Sequence, residues 1–238
     1  MNKILIIPDI HGRGFWKTPC KDWKEDMVFL GDYHDPYEFE IGEEQSLRNL
    51  RELVEFAENR RKTSNSKTIC LIGNHDYAYF TLFGQCRFDR QHCEEVRQLL
   101  SRLHLQFLYR TAYVLFSHAG ITQNWVDEWF APQDLDDSLF NNINSASENS
   151  AIDSRAFKQI PWSRGGTSSA GSLIWNSLED FQEEEPFGNY FQIFGHTWGG
   201  RTEPIIEDKY AMLDCCKAFV LNVDTKELIE WKAYQEKN

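Results

Sequence analysis

Residues 4–12 read ILIIPDIHG, a short apolar run that ends in an aspartate, a histidine and a glycine. Four further apolar runs also end in polar residues that are capable of chemistry, and this recurrence is the main organisational feature of the sequence. The length of the runs and their β-branched and aromatic content favour buried strands over helices. The five runs are Ile4 to Ile7, Met27 to Leu30, Thr68 to Ile72, Ala112 to Phe116 and Tyr190 to Phe194.

Helical patterns lie between these runs, so the chain alternates strands with helices. Apolar residues repeat over 47–57 and again over 96–103, with the three- and four-residue spacing that is typical of helices. Three later segments, 211–213, 218–224 and 227–231, are predicted to be closing strands. In open α/β sheets, ligands bind beyond the carboxyl ends of the strands. The polar blocks that follow the five runs could therefore share one site.

The composition is that of a packed globular protein. The 238 residues are 41% hydrophobic and 14% aromatic, which is enough apolar material for a sizeable core. We therefore expect one domain over residues 1–238. The segment near 134–155 is rich in Asp, Asn and Ser and weak in periodicity, so it is predicted to be a polar loop or insertion.

Charge and hydropathy exclude several kinds of partner. The formal net charge of −12 makes nucleic acid unfavourable, because the chain as a whole repels a phosphate backbone. The apolar amino-terminal run is too short for a signal peptide, and no stretch approaches the ~20 apolar residues that span a bilayer. We expect a cytoplasmic protein with no membrane partner, and its oligomeric state stays open. The six cysteines show no metal-binding or disulfide spacing and are expected to be free thiols.

The polar blocks mix carboxylate, amide and imidazole groups. Hard divalent ions prefer carboxylate and amide oxygens, and manganese, iron and zinc also accept imidazole nitrogen. Two metals about 3.5–4 Å apart can clamp the attacking and leaving oxygens of an in-line displacement at phosphorus and supply hydroxide at neutral pH. A structural role is the better interpretation of any single Asp or His, but five blocks together favour a metal site.

In chain order the blocks are DIHG (9–12), GDYHD (31–35), GNHD (73–76), SHAG (117–120) and GHT (195–197), and they resemble the five signature blocks of the calcineurin-like metallophosphoesterases. They are most similar to the phosphoprotein phosphatase branch and its bacterial and phage relatives. The resemblance implies a four-layered α/β/β/α sandwich, in which two mixed β-sheets are flanked by helices. Two such sheets would need about ten strands, whereas the sequence shows eight clearly.

The resemblance also implies two divalent metal ions, manganese or iron or both, with zinc possible. These ligands are assigned residue by residue from the family pattern. The implied ligands are Asp9 and His11 for the first ion, Asp32 as the bridge, and Asn74, His118 and His196 for the second ion.

Two further residues match catalytic positions of the family. His75 matches the general acid that protonates the leaving oxygen, and Asp35 matches the carboxylate that orients this imidazole. The GNHD block carries an aspartate where glutamate is more usual, and Asp76 is expected to cap the following helix.

The sequence departs from the family pattern after Asp35, because Pro36 stands where an arginine is expected. A usual phosphate clamp is therefore missing. Guanidinium groups bind phosphate oxygens in bidentate fashion, so other arginines must contact the substrate. We expect Arg164, which lies among glycines, with Arg13 and Arg201 as alternatives.

The resemblance implies an enzyme, a metal-dependent phosphatase in which a metal-bridging hydroxide attacks phosphorus in line. The expected substrate is a phosphorylated protein or a small phosphate ester, as for a serine/threonine phosphatase. Hydrolysis of a dinucleoside polyphosphate or a cyclic nucleotide is the alternative, since similar blocks perform it in relatives. A non-catalytic phosphate-binding module is less favoured, because every implied ligand and the pair of His75 and Asp35 are present.

Overall fold

Ten strands lie in the part of the chain that the computed structural model describes, which comprises residues 2–81, 87–130, 137–145 and 155–237. Eight of them coincide with predicted strands. The other two, at 109–110 and 205–206, are two residues long and too short to show an alternating pattern. In chain order the strands are β1 (Lys3–Ile7), β2 (Asp26–Phe29), β3 (Thr68–Cys70), β4 (Tyr109–Arg110), β5 (Val114–Phe116), β6 (Phe191–Phe194), β7 (Ile205–Ile206), β8 (Tyr210–Met212), β9 (Phe219–Asn222) and β10 (Glu227–Glu230).

The helices include both of those predicted from apolar spacing. Two short 3₁₀ helices, Ala156–Lys158 and Trp162–Arg164, accompany them. The described α-helices are α1 (Lys17–Lys21), α2 (Glu43–Thr63), α3 (Asn74–Thr81), α4 (Cys93–Ser101), α5 (Gln123–Phe130), α6 (Asp137–Ser145), α7 (Leu178–Glu183) and α8 (Trp231–Lys237).

The chain forms two compact units. The first lies within Met1–Leu105 and Cys216–Asn238, and the second lies within Gln106–Cys215. Each contains one mixed five-stranded sheet, in the order β10-β9-β1-β2-β3 in the first unit and β4-β5-β6-β8-β7 in the second. The predicted α/β class with two mixed sheets and accompanying helices is confirmed. The interpretation of residues 1–238 as one domain stays a prediction.

The core of the first unit lies between one face of its sheet and helix α2. Leu5 and Phe29 point to this face from the parallel strands β1 and β2. They pack in one cluster with Leu50, Leu53 and other apolar residues of α2. The acidic first turn and basic last turn of α2 also suit its macrodipole. Burial of one helical face thus explains why this long segment is helical.

The second unit has a smaller aromatic core around α7. Phe181 of α7 packs against Phe194 of β6, with ring centroids 4.8 Å apart, and Phe194 stacks on Tyr210 of β8 at 5.6 Å. The strands β5, β6 and β8 run parallel. The carboxyl ends of β5 and β6 therefore lie at the same edge of this sheet.

Part of the segment near 134–155 differs from its prediction. Residues 137–145 form α6 rather than a loop, because Leu139 and Ile143 stand four residues apart and are both buried. Positions 134–136 and 146–154 of this segment lie outside the described residues.

Two further expectations concern cysteines and membranes. Cys20, Cys70, Cys93, Cys215 and Cys216 are thiols rather than halves of disulfides, as predicted, and Cys86 lies outside the described residues. No helix in the described ranges combines the length and the apolar character needed to cross a membrane.

Replacing Leu53 by Ala is expected to lower the free energy of unfolding by about 2–5 kcal/mol, because it leaves a cavity between α2 and the sheet. Glu55→Ala, on the exposed side of the same helix, should change it by no more than about 0.5 kcal/mol. Urea unfolding measures both. Equal losses in the two variants would contradict the packing described for α2.

Candidate functional site

The first three polar blocks follow parallel strands, so they lie at one edge of the first unit's sheet. Backbone bonds join the first block to the second. The amide N–H groups of Ile10 and His11 donate to the carbonyl of Asp32, at 3.1 and 2.7 Å, and that of Gly12 donates to Tyr33 at 3.0 Å. These hydrogen bonds therefore fix the loops after β1 and β2 relative to each other.

Three non-glycine residues of these blocks have left-handed backbone conformations. The φ angles are 44° at His11, 52° at Asp32 and 57° at Asp35. Such conformations are uncommon outside glycine and persist where the surrounding structure fixes them, often at functional sites. Here the backbone bonds between the blocks supply that restraint.

Asp76 lies in the first turn of α3, and its carboxylate ties the second block to the third. Oδ2 accepts the backbone N–H groups of Asp32 at 2.7 Å and Gly73 at 2.9 Å, and Oδ1 accepts that of Tyr33 at 3.0 Å. The bond to Gly73 caps α3, as predicted, in the manner of a capping box. Burial and the charge of Asp32 raise the pKa of Asp76, and the three amide donors act against that rise.

Gly73 is the point at which the third block passes closest to Asp32. A Cβ atom at position 73 would lie 2.1 Å from Asp32 Oδ1 and 2.7 Å from its backbone nitrogen. Asp32 Oδ1 also accepts the backbone N–H of His75 at 3.0 Å. Only a residue without a side chain allows this approach.

The predicted ligands of the first unit, Asp9, His11, Asp32 and Asn74, are all buried at this sheet edge. His11 Nε2 lies 3.5 Å from Asp32 Oδ2. His11 Nδ1 donates to the carbonyl of His34 at 3.1 Å, which leaves Nε2 as the acceptor or ligand atom. Burial holds the pKa of His11 well below its ordinary value, so the imidazole is neutral, as a metal ligand must be.

His11, Asp32 and His75 each offer one possible ligand atom, and these atoms lie within 4.8 Å of one another. The donor set of buried carboxylate oxygen and neutral imidazole nitrogen suits manganese, iron or zinc. The residues of the first unit therefore fit a divalent cation.

His75 and Asp35 form a buried pair. His75 Nδ1 donates to Asp35 Oδ2 at 2.7 Å, and the hydroxyl of Tyr79 donates to the other carboxylate oxygen. Burial, with the neighbouring charge of Asp35, raises the pKa of Tyr79, so its hydroxyl stays a donor. Because Asp35 holds Nδ1, the imidazole presents Nε2 on the side away from that carboxylate.

In the second unit, His118 and His196 follow the parallel strands β5 and β6. The backbone N–H of Gly195 donates to the carbonyl of His118 at 2.8 Å, and His196 takes a left-handed conformation with φ 69°. His118 Nε2 and His196 Nδ1 lie 3.1 Å apart. Imidazole nitrogens bind such ions at about 2.0–2.1 Å, so two nitrogens on one ion lie about 3.0–3.4 Å apart. This pair thus has the spacing of two ligands of a single ion.

The three predicted substrate-binding arginines have protein partners. Arg13 Nε donates to Glu40 at 2.5 Å in the first unit. In the second unit, Arg164 donates to the hydroxyl of Thr197 at 2.6 Å, and Arg201 donates to the backbone carbonyl of Thr197 at 3.0 Å. Their contact with a substrate stays a prediction.

Sequence reasoning missed Arg87, whose Nη2 donates to His75 Nε2 at 3.1 Å. It also missed Tyr79, although a residue four positions after His75 on a helix lies on the same face, so that spacing could have revealed it. No sequence signal pointed to Arg87, because its contact with His75 depends on the path of the chain between α3 and α4.

Comparison with known proteins agrees with these features. A family model described as calcineurin-like phosphoesterase matches residues 2–198. No curated protein matches the chain significantly.

Two solved structures are similar in fold. One is a cold-active protein-tyrosine phosphatase from the psychrophile Shewanella sp., which is 15% identical with a TM-score of 0.61, and the alignment covers 97% of this chain and 77% of that one. The other is a protein serine/threonine phosphatase from Saccharomyces cerevisiae with similarity to human phosphatase PP5. It is 15% identical with a TM-score of 0.55, over 96% of this chain and 78% of that one.

Gly73→Ala should weaken Mn²⁺ binding at least tenfold, because the new Cβ must displace the Asp32 carboxylate. Gly14→Ala is the matched control, since its Cβ would meet its nearest neighbour at 3.8 Å, which is ordinary contact. Calorimetric titration with Mn²⁺ measures both. Wild-type affinity in Gly73→Ala would show that the position of Asp32 does not govern binding.

Asp76→Ala is expected to lower the free energy of unfolding by at least about 3 kcal/mol, because three buried N–H groups lose their acceptor. Asp208→Ala removes an exposed aspartate and should cost no more than about 0.5 kcal/mol. Urea unfolding of both variants tests the difference, and a similar midpoint for the two would refute the role given to Asp76.

Proposed function

The chain belongs to the calcineurin-like phosphoesterase family, and from that premise we propose that it hydrolyses phosphomonoesters in the manner of the serine/threonine protein phosphatases. The family makes it a metal-dependent phosphoester hydrolase. The observation that carries the finer proposal is the buried pair of His75 and Asp35. An imidazole that is held at one nitrogen by a carboxylate is suited to protonating a leaving oxygen. A module that only binds phosphate would have no use for it.

The proposed cofactor is a pair of divalent cations, manganese or iron. When bound, such cations neutralise charge on phosphate oxygens and activate a water molecule for attack. The proposal takes its ligands from the family pattern. The proposed ligands are Asp9 and His11 for one ion, Asp32 as the bridge, and Asn74, His118 and His196 for the other.

The protein groups have distinct tasks in this proposal. Asp35 keeps the Nδ1 proton of His75 in place, so that Nε2 is the atom that passes a proton to the leaving oxygen. The carboxylate of Asp32 accepts the backbone N–H of His75, and the backbone N–H of Asp32 donates to Asp76, so Asp32 needs no rearrangement when a cation binds. Such preorganisation is the main source of electrostatic catalysis.

A phosphoserine or phosphothreonine side chain, or a small phosphate ester, is the proposed substrate. Nucleotide hydrolysis is a second candidate, because an aromatic pair with one exposed ring lies beside the first unit's ligands. The ring of Tyr37 lies 5.3 Å from His11 and 5.6 Å from Phe39, which is 77% exposed. An exposed aromatic ring can stack on a base. Phe39→Ala should therefore impair hydrolysis of a dinucleoside polyphosphate, but not of para-nitrophenyl phosphate, if nucleotides are the substrates.

We expect metal-stripped protein reloaded with Mn²⁺ to hydrolyse para-nitrophenyl phosphate faster than bis-para-nitrophenyl phosphate. His75→Asn should lower kcat by roughly 10²–10⁴-fold while Mn²⁺ binding is retained. Asp32→Asn should lose both activity and Mn²⁺ affinity. His104→Asn, at an exposed histidine, is the control and should match the wild type.

The results separate the hypotheses. Faster turnover of the diester would favour a phosphodiesterase, and preference for a dinucleoside polyphosphate would favour the nucleotide alternative. Wild-type turnover in His75→Asn would exclude this residue as the proton donor. Binding of inorganic phosphate without turnover of any ester would favour the non-catalytic module.

A further inference from the structure

Arg87 lies at the atom through which His75 is proposed to act. Its Nη2 is 3.1 Å from His75 Nε2, while Nδ1 of the same ring is bound to Asp35 at 2.7 Å. A group that protonates a leaving oxygen must lie beside the phosphoryl group to which that oxygen is bonded. A guanidinium in contact with Nε2 is therefore within reach of the same phosphoryl group.

Among the described residues, the guanidinium of Arg87 contacts an aromatic ring and has no carboxylate partner. Its Cζ lies 3.6 Å from the centroid of Tyr37, much closer than the 5.2 Å of Arg13. A cation–π contact this close restrains the position of a guanidinium without using its N–H groups as a salt bridge would. The backbone at Arg87 is left-handed, with φ 62°, a conformation that is uncommon for a long side chain.

One nitrogen of the Arg87 guanidinium has no hydrogen-bond acceptor among the described residues. Within the described ranges of the chain, no atom accepts a hydrogen bond from its buried Nη1, and no carboxylate forms an ion pair with it. Arg102, by contrast, donates from two of its nitrogens to the carboxylate of Glu58. A buried N–H donor without an acceptor lowers the stability of the folded protein. A planar guanidinium with unused N–H groups can donate to two oxygens of one anion.

We propose that Arg87 binds the phosphoryl oxygens of the substrate and so replaces, from a different segment of the chain, the arginine that is absent because Pro36 follows Asp35. This inference rests on the proposed function. A phosphate oxygen takes the place of His75 Nε2 as the acceptor of the Nη2 N–H, and Nη1 donates to a second oxygen. The imidazole is then released, takes a proton from solvent water at Nε2 and gives that proton to the leaving oxygen.

The test compares full-length, Mn²⁺-loaded wild type with Arg87→Ala, Arg87→Lys and Arg90→Ala. Arg90 is an exposed arginine three residues further along and serves as the matched control. Two quantities are measured, the Kd of inorganic phosphate by calorimetry and kcat/KM for para-nitrophenyl phosphate. Circular dichroism and Mn²⁺ binding establish that each variant is folded and loaded.

Arg87→Ala should weaken phosphate binding at least tenfold and lower kcat/KM by roughly 100-fold. Guanidinium chloride at millimolar concentration should restore part of that loss in Arg87→Ala and leave the wild type and Arg90→Ala unchanged. Arg87→Lys keeps the positive charge but loses the planar, bidentate guanidinium. Its phosphate Kd and kcat/KM should therefore lie between those of the wild type and Arg87→Ala. If Arg87→Ala does not fold, the comparison of Arg87→Lys with Arg90→Ala carries the test.

Failure of this inference is distinguishable from failure of the proposed function. A wild type that hydrolyses the ester, with Arg87 variants within twofold of it, overturns the role of Arg87 and leaves the phosphatase proposal standing. A wild type that binds phosphate but hydrolyses no ester overturns the phosphatase proposal, and the phosphate Kd of the variants then decides the role of Arg87. Phosphate affinity that is unchanged in Arg87→Ala, or absent from the wild type, overturns the inference.

Discussion

A single buried carboxylate, that of Asp76, accepts backbone N–H groups from the loops that follow β2 and β3. The loop after β1 joins the same arrangement indirectly, because its N–H groups donate to the carbonyl of Asp32. Three strand ends are thus fixed by hydrogen bonds from main-chain N–H groups, and none of these bonds uses a side chain that is proposed to do chemistry. This arrangement leaves Asp32 Oδ2 and His11 Nε2 in place at the sheet edge, because their backbones cannot shift independently.

A second buried network orients the imidazoles. The carboxylate of Asp35 accepts hydrogen bonds from His75 Nδ1 and from the hydroxyl of Tyr79. That hydroxyl in turn accepts the backbone N–H of Asp89 at 3.1 Å. The carboxylate of Asp89 in turn accepts His34 Nε2, also at 3.1 Å.

The network continues to a metal-ligand candidate. The hydroxyl of Ser46 donates to His34 Nδ1 at 2.6 Å. The backbone carbonyl of His34 accepts the ring N–H at His11 Nδ1. One connected set of polar groups therefore positions both a predicted ligand and the predicted acid. Because buried polar groups are costly unless satisfied, each of these side chains constrains the next.

The sequence allowed eight of the strands to be predicted and the polar blocks to be placed at their ends, because buried parallel strands are short apolar runs and the predicted ligands follow them. It did not reveal β4 and β7, which are too short for a period to show, or α6, whose only signal is three apolar residues among polar ones. The contact of Arg87 with Tyr37 and His75 was also beyond prediction. It joins residues far apart in sequence through a ring contact that has no periodicity.

The order of strands in the first unit also determines when its sheet can close during synthesis. β1 is made first but lies between β2 and β9, and Ile4 pairs with Leu221. Residues 106–215, which form the second unit, leave the ribosome between these two partners. The main-chain donors and acceptors on one edge of β1 therefore stay unpaired while the whole second unit is translated. If the ribosome stalls during translation of the second unit, this edge of β1 can pair with another nascent chain.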